Sequence, residues 1–408
     1  MKFAVISNLY PPLVRGGAEM IAATEAEGLK AAWQHVFVIA TKPRKMNVNG
    51  VDVRADNELV WQDEVNSVSV YRITPFNVYY YLNDYKYPAI LRLLWHFLDI
   101  FNWHSYFQVK KILLEEKPDV VITHNLMGLG FLLPLLFRKL HITHIHTLHD
   151  VQLVTPSGLI IKGAEDAWQH KFFKSIGYPR LMRKLFASPQ IVISPSKFLL
   201  DFYKQYDFFP KSKKIVLPNP IGADIGVSKK SSYNLEVLYL GQVQLAKGVL
   251  GLIKAWRALE LPDARLHIVG VGSDLVAAQS AAQADKRIVF HGWMTHPKLM
   301  ELLGSMDILV VPSLCYENSP TVIYEALGMG LPVLASDIGG VSELIREGVN
   351  GWVFPAGDFA ALNKKIISLY AQRDRLSLMA DNCRASVAGF SRENYIQTIL
   401  DLLNENKQ

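Results

Sequence analysis

Two carboxylates interrupt one of the most apolar stretches of the chain. In "YENSPTVIYEALGMGLPVLASDIGG", Tyr316 to Gly340, Glu317 and Glu325 stand on either side of an Asn318-Ser319-Pro320 break. Carboxylates accept hydrogen bonds from neighbouring hydroxyls, so such a pair suits a vicinal diol of a ribose or a sugar. Ser319 is a favourable N-cap and Pro320 fits a first helical turn, where a missing N–H costs nothing. The pattern predicts a helix opening near Pro320, with free amides around Thr321, Val322 and Ile323. A helix N-terminus that follows a parallel strand is an anion site. Phosphate on the helix start and hydroxyls on the flanking glutamates together outline a nucleotide sugar. The plainer alternative makes Glu325 a helix-surface residue and Glu317 a loop solvator.

Three further stretches bear on that choice. "PPLVRGGAEM" places Gly16 and Gly17 between a first strand and a first helix, where absent side chains allow close backbone approach. The G-x-G-x-x-G spacing of a dinucleotide site is missing there. "GQVQLAKG" puts Lys247 in a loop after a strand, a natural counter-charge for a diphosphate. "THIHTLHD" ends a strand with His149 and Asp150. His144 and His146 would point to one face of that strand and His141 and His149 to the other, which argues against a metal site.

The elements that must position these residues follow from the hydrophobic pattern. A chain of 408 residues is long for one core and suits two domains. "KFAVISNLY", "HVFVIAT", "DVVITHN", "THIHTLHD" and "QIVISPS" read as strands of the first half, with a helical run from Ala18 to Ala32 after the first. "LPNPIG", Leu217 to Gly222, is a Pro-rich junction followed by the polar "SKKSSYN". Five more strands follow: "EVLYLGQV", "RLHIVGVG", "RIVFHGW", "DILVVPS" and "PVLASD". "RENYIQTILDLLNEN" closes the chain as an amphipathic helix, apolar at Tyr395, Ile396, Ile399, Leu402 and Leu403. Strands alternating with helices imply parallel sheets covered on both faces. With two such sheets, the expected site is the cleft beyond the carboxyl ends of their strands.

Half the residues are hydrophobic and a fifth are charged, the composition of a folded globular protein. Cys315 and Cys383 are the only cysteines, so a disulfide framework is excluded and a reducing cytosol is expected. "MKFAVISNLYPP" lacks the features of a signal peptide, and no segment is apolar and long enough to span a bilayer. Residues 1–218 hold 26 Lys and Arg against 18 Asp and Glu, a balance of +8, whereas residues 219–408 hold 17 against 19, a balance of −2. A basic half beside a near-neutral one fits an acidic partner, either nucleic acid or an anionic membrane, as well as plain solvation. Within that half, Leu91, Leu94, Trp95, Leu98, Phe101 and Asn102 keep helical spacing. They read either as one buried face or as a face that rests on a membrane.

Taken in order, the motifs resemble those of the large family-4 retaining glycosyltransferases, which adopt the GT-B architecture. They are Gly16-Gly17 with Ala18-Glu19, the strand-end His149, "ISPS" at Ser196, the "PNP" junction and the G-x5-K-G loop from Gly241 to Gly248. "D-x4-PS" from Asp307 to Ser313, the E-x7-E pair Glu317/Glu325, "GLPVLASDIGGVSELI" and "GVNGWVF" complete the series. The likeness covers nearly the whole chain. It implies an α/β GT-B fold, two Rossmann-like parallel-sheet domains facing across a cleft. Residues 1–218 would bind the acceptor, 219–388 the nucleotide sugar, and 389–408 would cross back to the first domain as a helix.

The resemblance also implies roles. Glu325 would hold the ribose hydroxyls, and Asn318, Ser319, Pro320, Thr321 and Val322 would face the donor. Gly16 and Gly17 would bring backbone against it, and Met294 of "HGWM", beside Trp293, would touch the base. The catalytic set would be His149, supporting positive charge at the anomeric centre, Glu317 near the transferred sugar, and Lys247 on the diphosphate. Gln242 stands where the family usually has an arginine, and Arg15 is one substitute for the missing charge. The implied reaction is metal-independent, retaining transfer from a UDP- or GDP-sugar to a glycan or lipid-linked acceptor, without other cofactors and without nucleic acid. Polysaccharide or glycolipid biosynthesis (lipopolysaccharide or capsule), in the cytoplasm or at the inner face of the cell membrane, is the implied setting. The alternatives are a non-catalytic sugar-nucleotide-binding scaffold and a GT-B epimerase or phosphorylase.

Overall fold

Short β-branched runs separated by amphipathic helices fold as that alternation dictates, into two largely parallel sheets. The structure, a computed structural model, describes residues 1–43, 45–48, 51–54, 60–221 and 234–405. The polar stretch "SKKSSYN" lies outside the described residues except for Asn234, as does Gly222 of the junction. The first half contains β1 Lys2–Ile6, β2 His35–Thr41, β3 Lys45–Val48, β4 Val51–Arg54, β5 Val60–Val65, β6 Val68–Ile73, β7 Val120–Thr123, β8 Thr143–Thr147, β9 Ile191–Ser194 and β10 Lys213–Val216. Its main sheet runs β10-β9-β8-β7-β1-β2-β6-β5, parallel except for β5 against β6, and β3 pairs with β4 apart from it. The second half contains β11 Leu235–Leu240, β12 Ala264–Val269, β13 Ile288–Gly292, β14 Ile308–Val311, β15 Val333–Asp337 and β16 Gly351–Pro355, ordered β13-β12-β11-β14-β15-β16 and all parallel.

Strand order reverses at β1 in the first sheet and at β11 in the second. A crevice opens where neighbouring crossovers leave to opposite sides, so the loops after β1 and β11 are where a ligand fits. These are the loops that carry the glycine pair and Lys247. The loop after β14, next to β11, carries Glu317.

The closing helix, Arg392–Glu405, buries Tyr395, Ile396, Ile399, Leu402 and Leu403. They pack in one cluster with Phe3 and Val5 of β1 and with Ala22, Ala26 and Leu29 of the helix Gly17–Ala31. The last helix of the chain therefore completes a core of the first half. Tyr395 donates to the Glu25 carboxylate at 3.2 Å in the same contact.

The helix Ala89–Ile100 departs from the buried-face reading. Trp95 is buried, but Leu94, Leu98 and Phe101 are exposed. Asn102 is buried because it caps the next helix, its side-chain oxygen accepting from the Ser105 amide at 3.0 Å. Among the described residues no helix is long and apolar enough to cross a membrane.

Because Ile399 is fully enclosed in the shared core, Ile399→Ala should destabilise the chain by about 2–5 kcal/mol. Urea unfolding should register this as a lower midpoint, and an unchanged midpoint would remove the helix from the first half's stability.

Candidate active site

The loops after β1, β11 and β14 enclose a cavity of about 520 Å³ between the two halves. Gly16 and Gly17 border it from the first loop, Gln242 and Lys247 from the second, and Glu317 to Val322 with Glu325 from the third. His149, beyond β8, reaches it from the side. Met294 does not border the cavity. It packs against the core of the second half, and its neighbour Trp293 turns to the cleft instead.

Gly17 is needed because the halves approach closely there. A Cβ at Gly17 would lie 2.9 Å from Thr321 Cγ2. The start of the helix Gly17–Ala31 thereby faces the start of the helix Thr321–Gly328. The first of these is capped by Glu19, whose carboxylate accepts from the Gly16 amide at 2.8 Å. The second has no side-chain cap. Ser319, expected to cap it, instead bonds Tyr324 through its hydroxyl at 2.5 Å, and Pro320 occupies the cap position. Its first amides and the positive end of its dipole are left for an anion.

Glu317 lies among three donors. Lys247 Nζ approaches Oε1 at 2.5 Å, Ser313 Oγ at 2.8 Å and Cys315 Sγ at 3.6 Å. Burial pushes this carboxyl up, but the Lys247 charge and the three hydrogen bonds outweigh it and hold the pKa below its ordinary value. Burial likewise pushes Lys247 down, and the Glu317 charge holds it above its ordinary value. The backbone here is fixed from behind: Gly340 N donates to Glu317 O at 2.9 Å. Gly339 sits at φ +63°, where a Cβ would fall 2.1 Å from that oxygen. This accounts for the glycine pair of "SDIGG".

Glu325 is different. Its carboxylate borders the cavity with no hydrogen bond among the described residues, and burial raises its pKa against a smaller opposing pull from His296. It is an acceptor in waiting. Asn318 is engaged across the cleft, accepting from Ser196 Oγ and donating to His149 O at 3.3 Å. Gln242 is engaged too, its amide donating to Arg15 O at 2.9 Å. Arg15 borders the cavity with its charge already engaged: its guanidinium pairs with Asp84 at 3.2 Å and lies 4.7 Å over the Tyr81 ring.

Behind His149 stand two groups that sequence reasoning missed. His149 Nε2 and His124 Nδ1 are 2.8 Å apart, with the rings stacked. His124 Nε2 lies 3.8 Å from Glu25 Oε1, too far for a hydrogen bond, and neither atom has a hydrogen-bond partner among the described residues. Burial lowers His149 to about 4 and raises Glu25 to about 8, so at neutral pH the ring is uncharged and the carboxyl largely protonated. Asp150, raised to about 6 by burial, also borders the cavity. Glu25 and His124 are 99 positions apart (124 − 25), and no local spacing announces their contact. Among the described residues, no group of three His, Cys, Asp or Glu side chains is arranged to hold a metal ion.

The Glu317 geometry has a consequence in acid. A carboxyl whose folded pKa lies below its unfolded value contributes stability above the unfolded value, lost as pH falls through the folded one. Melting temperature should therefore fall on acidification through the ordinary Glu range and below. Glu317→Gln should flatten part of that limb, and identical acid limbs would discount the pair.

Similarity to known proteins agrees with this layout. Residues 15–224 match the model described as Glycosyltransferase Family 4, and residues 234–372 match that described as Glycosyl transferases group 1. An uncharacterized 42.6 kDa protein in the cps region of Klebsiella pneumoniae is 23% identical over 348 residues, covering 85% of this chain and 88% of that one. Sucrose-phosphate synthase from Thermosynechococcus elongatus superposes with a TM-score of 0.75 at 19% identity, over 99% of this chain and 98% of its own. Anabaena HepE in complex with UDP-glucose gives 0.70 at 18% identity, over 99% and 100%. The two parallel sheets and these neighbours make the fold α/β GT-B, and with more than half its length matched, the chain belongs to glycosyltransferase family 4.

Proposed function

We propose that the protein is a metal-independent, retaining glycosyltransferase. It moves a sugar from a UDP- or GDP-sugar to a hydroxyl of a glycan or lipid-linked acceptor held by the first domain, in polysaccharide or glycolipid assembly at the cytoplasmic face of the membrane. One observation carries this reading. The uncapped start of the helix Thr321–Gly328 shares a cavity with the unpartnered Glu325 carboxylate and the Lys247–Glu317 pair. Diphosphate on those amides places ribose hydroxyls within the province of Glu325 and the sugar toward Glu317 and His149. The UDP-glucose bound by the Anabaena neighbour supports the donor class, and the cps-region relative supports the setting.

In the reaction the bond from the anomeric carbon to the diphosphate oxygen breaks, and its electron pair leaves with the diphosphate. The acceptor oxygen bonds to that carbon on the same face, and its proton passes to the departing diphosphate oxygen. Helix amides and Lys247 stabilise the charge that builds there, each donor worth on the order of 10²–10³ in rate. His149, kept neutral by burial, lies against the electron-poor carbon without repelling it.

A thermal-shift panel of nucleoside diphosphates should give one selective stabilisation. Glu325→Ala should weaken that nucleotide at least tenfold, and loss of no affinity would remove the ribose role. Lys247→Ala should lower transfer by roughly 10²–10³. It should also lower the melting temperature, because Glu317 loses its counter-charge. Nucleotide binding without transfer to any acceptor would favour the scaffold alternative, and no nucleotide binding at all would end the donor reading.

A further inference from the structure

The helix Ala89–Ile100 buries only part of its apolar surface: Trp95 and Ile100 pack inward and Leu93 lies partly buried against the core. Trp95 and Asp99 are buried; Asp99 accepts from the Gly128 amide at 2.9 Å, and the Trp95 indole donates to Tyr79 O at 2.8 Å. These bonds hold the helix at a rotation that leaves a second set of apolar side chains exposed. Ile90, Leu94, Phe97, Leu98 and the following Phe101 are exposed, Ile90 to 69%. They recur at i, i+4, i+7, i+8 and i+11, a single stripe. The next helix, Trp103–Glu116, repeats the arrangement. Trp103, Phe107 and Leu114 are exposed at i, i+4 and i+11, with Lys110 and Lys111 at i+7 and i+8 of the same stripe. Lys111 shares its charge with Glu115, 4.0 Å away.

A helix facing water carries its charges outward. Apolar and aromatic side chains with interleaved lysines make the surface of a helix lying in a membrane interface. We infer that these two helices form a docking surface for the anionic face of a lipid bilayer. Charge complementarity favours this occupant over an uncharged one: Lys110 and Lys111 stand on the exposed stripe itself, in the basic half of the chain, and lysines near an anionic leaflet add to apolar insertion.

The position gives the surface a use. Behind the first helix lies a cavity of about 170 Å³ bordered by Arg92, His96, Tyr79 and Tyr81, and by Arg15, which also borders the donor cavity. On the proposed transferase reading, this makes the acceptor a lipid-linked one presented from the membrane.

Co-sedimentation of the full chain with vesicles tests the surface without donor, acceptor or turnover. The wild type should sediment with phosphatidylglycerol-containing vesicles and not with pure phosphatidylcholine. Leu94→Ser/Phe97→Ser and, separately, Lys110→Glu/Lys111→Glu should each reduce binding at least tenfold while melting as the wild type does. Vesicle binding that is absent, or equal in all three proteins, overturns the inference. So does light scattering that finds a wild-type dimer dissolved by the apolar substitutions with no vesicle binding. A missing nucleotide shift would sink the donor reading and leave this result standing.

Discussion

Glu317 lies in the cleft wall with a charge that burial alone would neutralise, and much of the surrounding architecture answers that one problem. Removing a carboxylate from water is tolerated when a cation and further donors are already in place. Lys247 supplies the cation and Ser313 and Cys315 the remaining hydrogen bonds. Each arrives on a strand-end loop: Lys247 after β11, the others after β14. Because β11 and β14 are paired neighbours, the sheet itself sets the distance between the two loops. Gly339 and Gly340, after β15, admit the Glu317 and Asn318 carbonyls at distances no side chain would permit. Three adjacent strands thus fix one carboxylate.

The same loop ties the halves together. Tyr316 N donates to Ile160 O at 2.9 Å, Lys162 N donates to Leu314 O at 2.8 Å, and the Tyr316 ring stacks on Phe198. Glu343 then caps a helix that belongs to the other half, its oxygens accepting from the Lys197 and Phe198 amides at 2.8 and 2.7 Å. On the opposite side, the closing helix buries its apolar face in the first half. The interface is therefore built from the loop that bears the catalytic candidates, so rearrangement of one half against the other is felt directly at Glu317 and Asn318.

The buried parallel strands were legible because a strand covered on both faces reads as a continuous apolar run. Edges were not. β10 begins with two lysines, and β5 carries Gln62, Asp63 and Glu64. The β5–β6 turn uses Asn66 and Ser67 at positive φ rather than the usual glycine. At the site, motif order located the loops that line the cavity, but partners distant in sequence stayed hidden. Lys247 and Glu317 are 70 positions apart. Ser319 was misjudged as a cap because Tyr324, one turn along, competes for its hydroxyl, and the direction of the loop after β13 brings Trp293 rather than Met294 to the cavity. Periodicity put Leu94, Trp95, Leu98, Phe101 and Asn102 on one face, and the structure splits that face: Trp95 and Asn102 are buried, while Leu94, Leu98 and Phe101 join Ile90 and Phe97 in the exposed stripe. It could not tell which way the stripe points, since that depends on Asp99 and Trp95 finding backbone partners inside.

If the donor is a sugar nucleotide, as proposed, the Lys247–Glu317 pair also constrains how its diphosphate would be held. With Lys247 matched by Glu317, Gln242 neutral and bound to Arg15 O, and Arg15 matched by Asp84, the cavity offers a diphosphate little uncompensated positive charge. Beside the Glu317-matched Lys247 stands the uncapped helix start, whose partial charge is spread over fixed amides. Amides that need no reorganisation favour charge that develops during bond breaking over charge already present on a bound ion. On the proposed reading, a site arranged this way would gain less from holding the diphosphate product than one with free cations, and recognition of the donor would fall to the ribose at Glu325 and to the sugar between Glu317 and His149. The neutral glutamine is then consistent with a weak grip on the leaving group, offset by preformed dipoles and by hydroxyl contacts on either side of it.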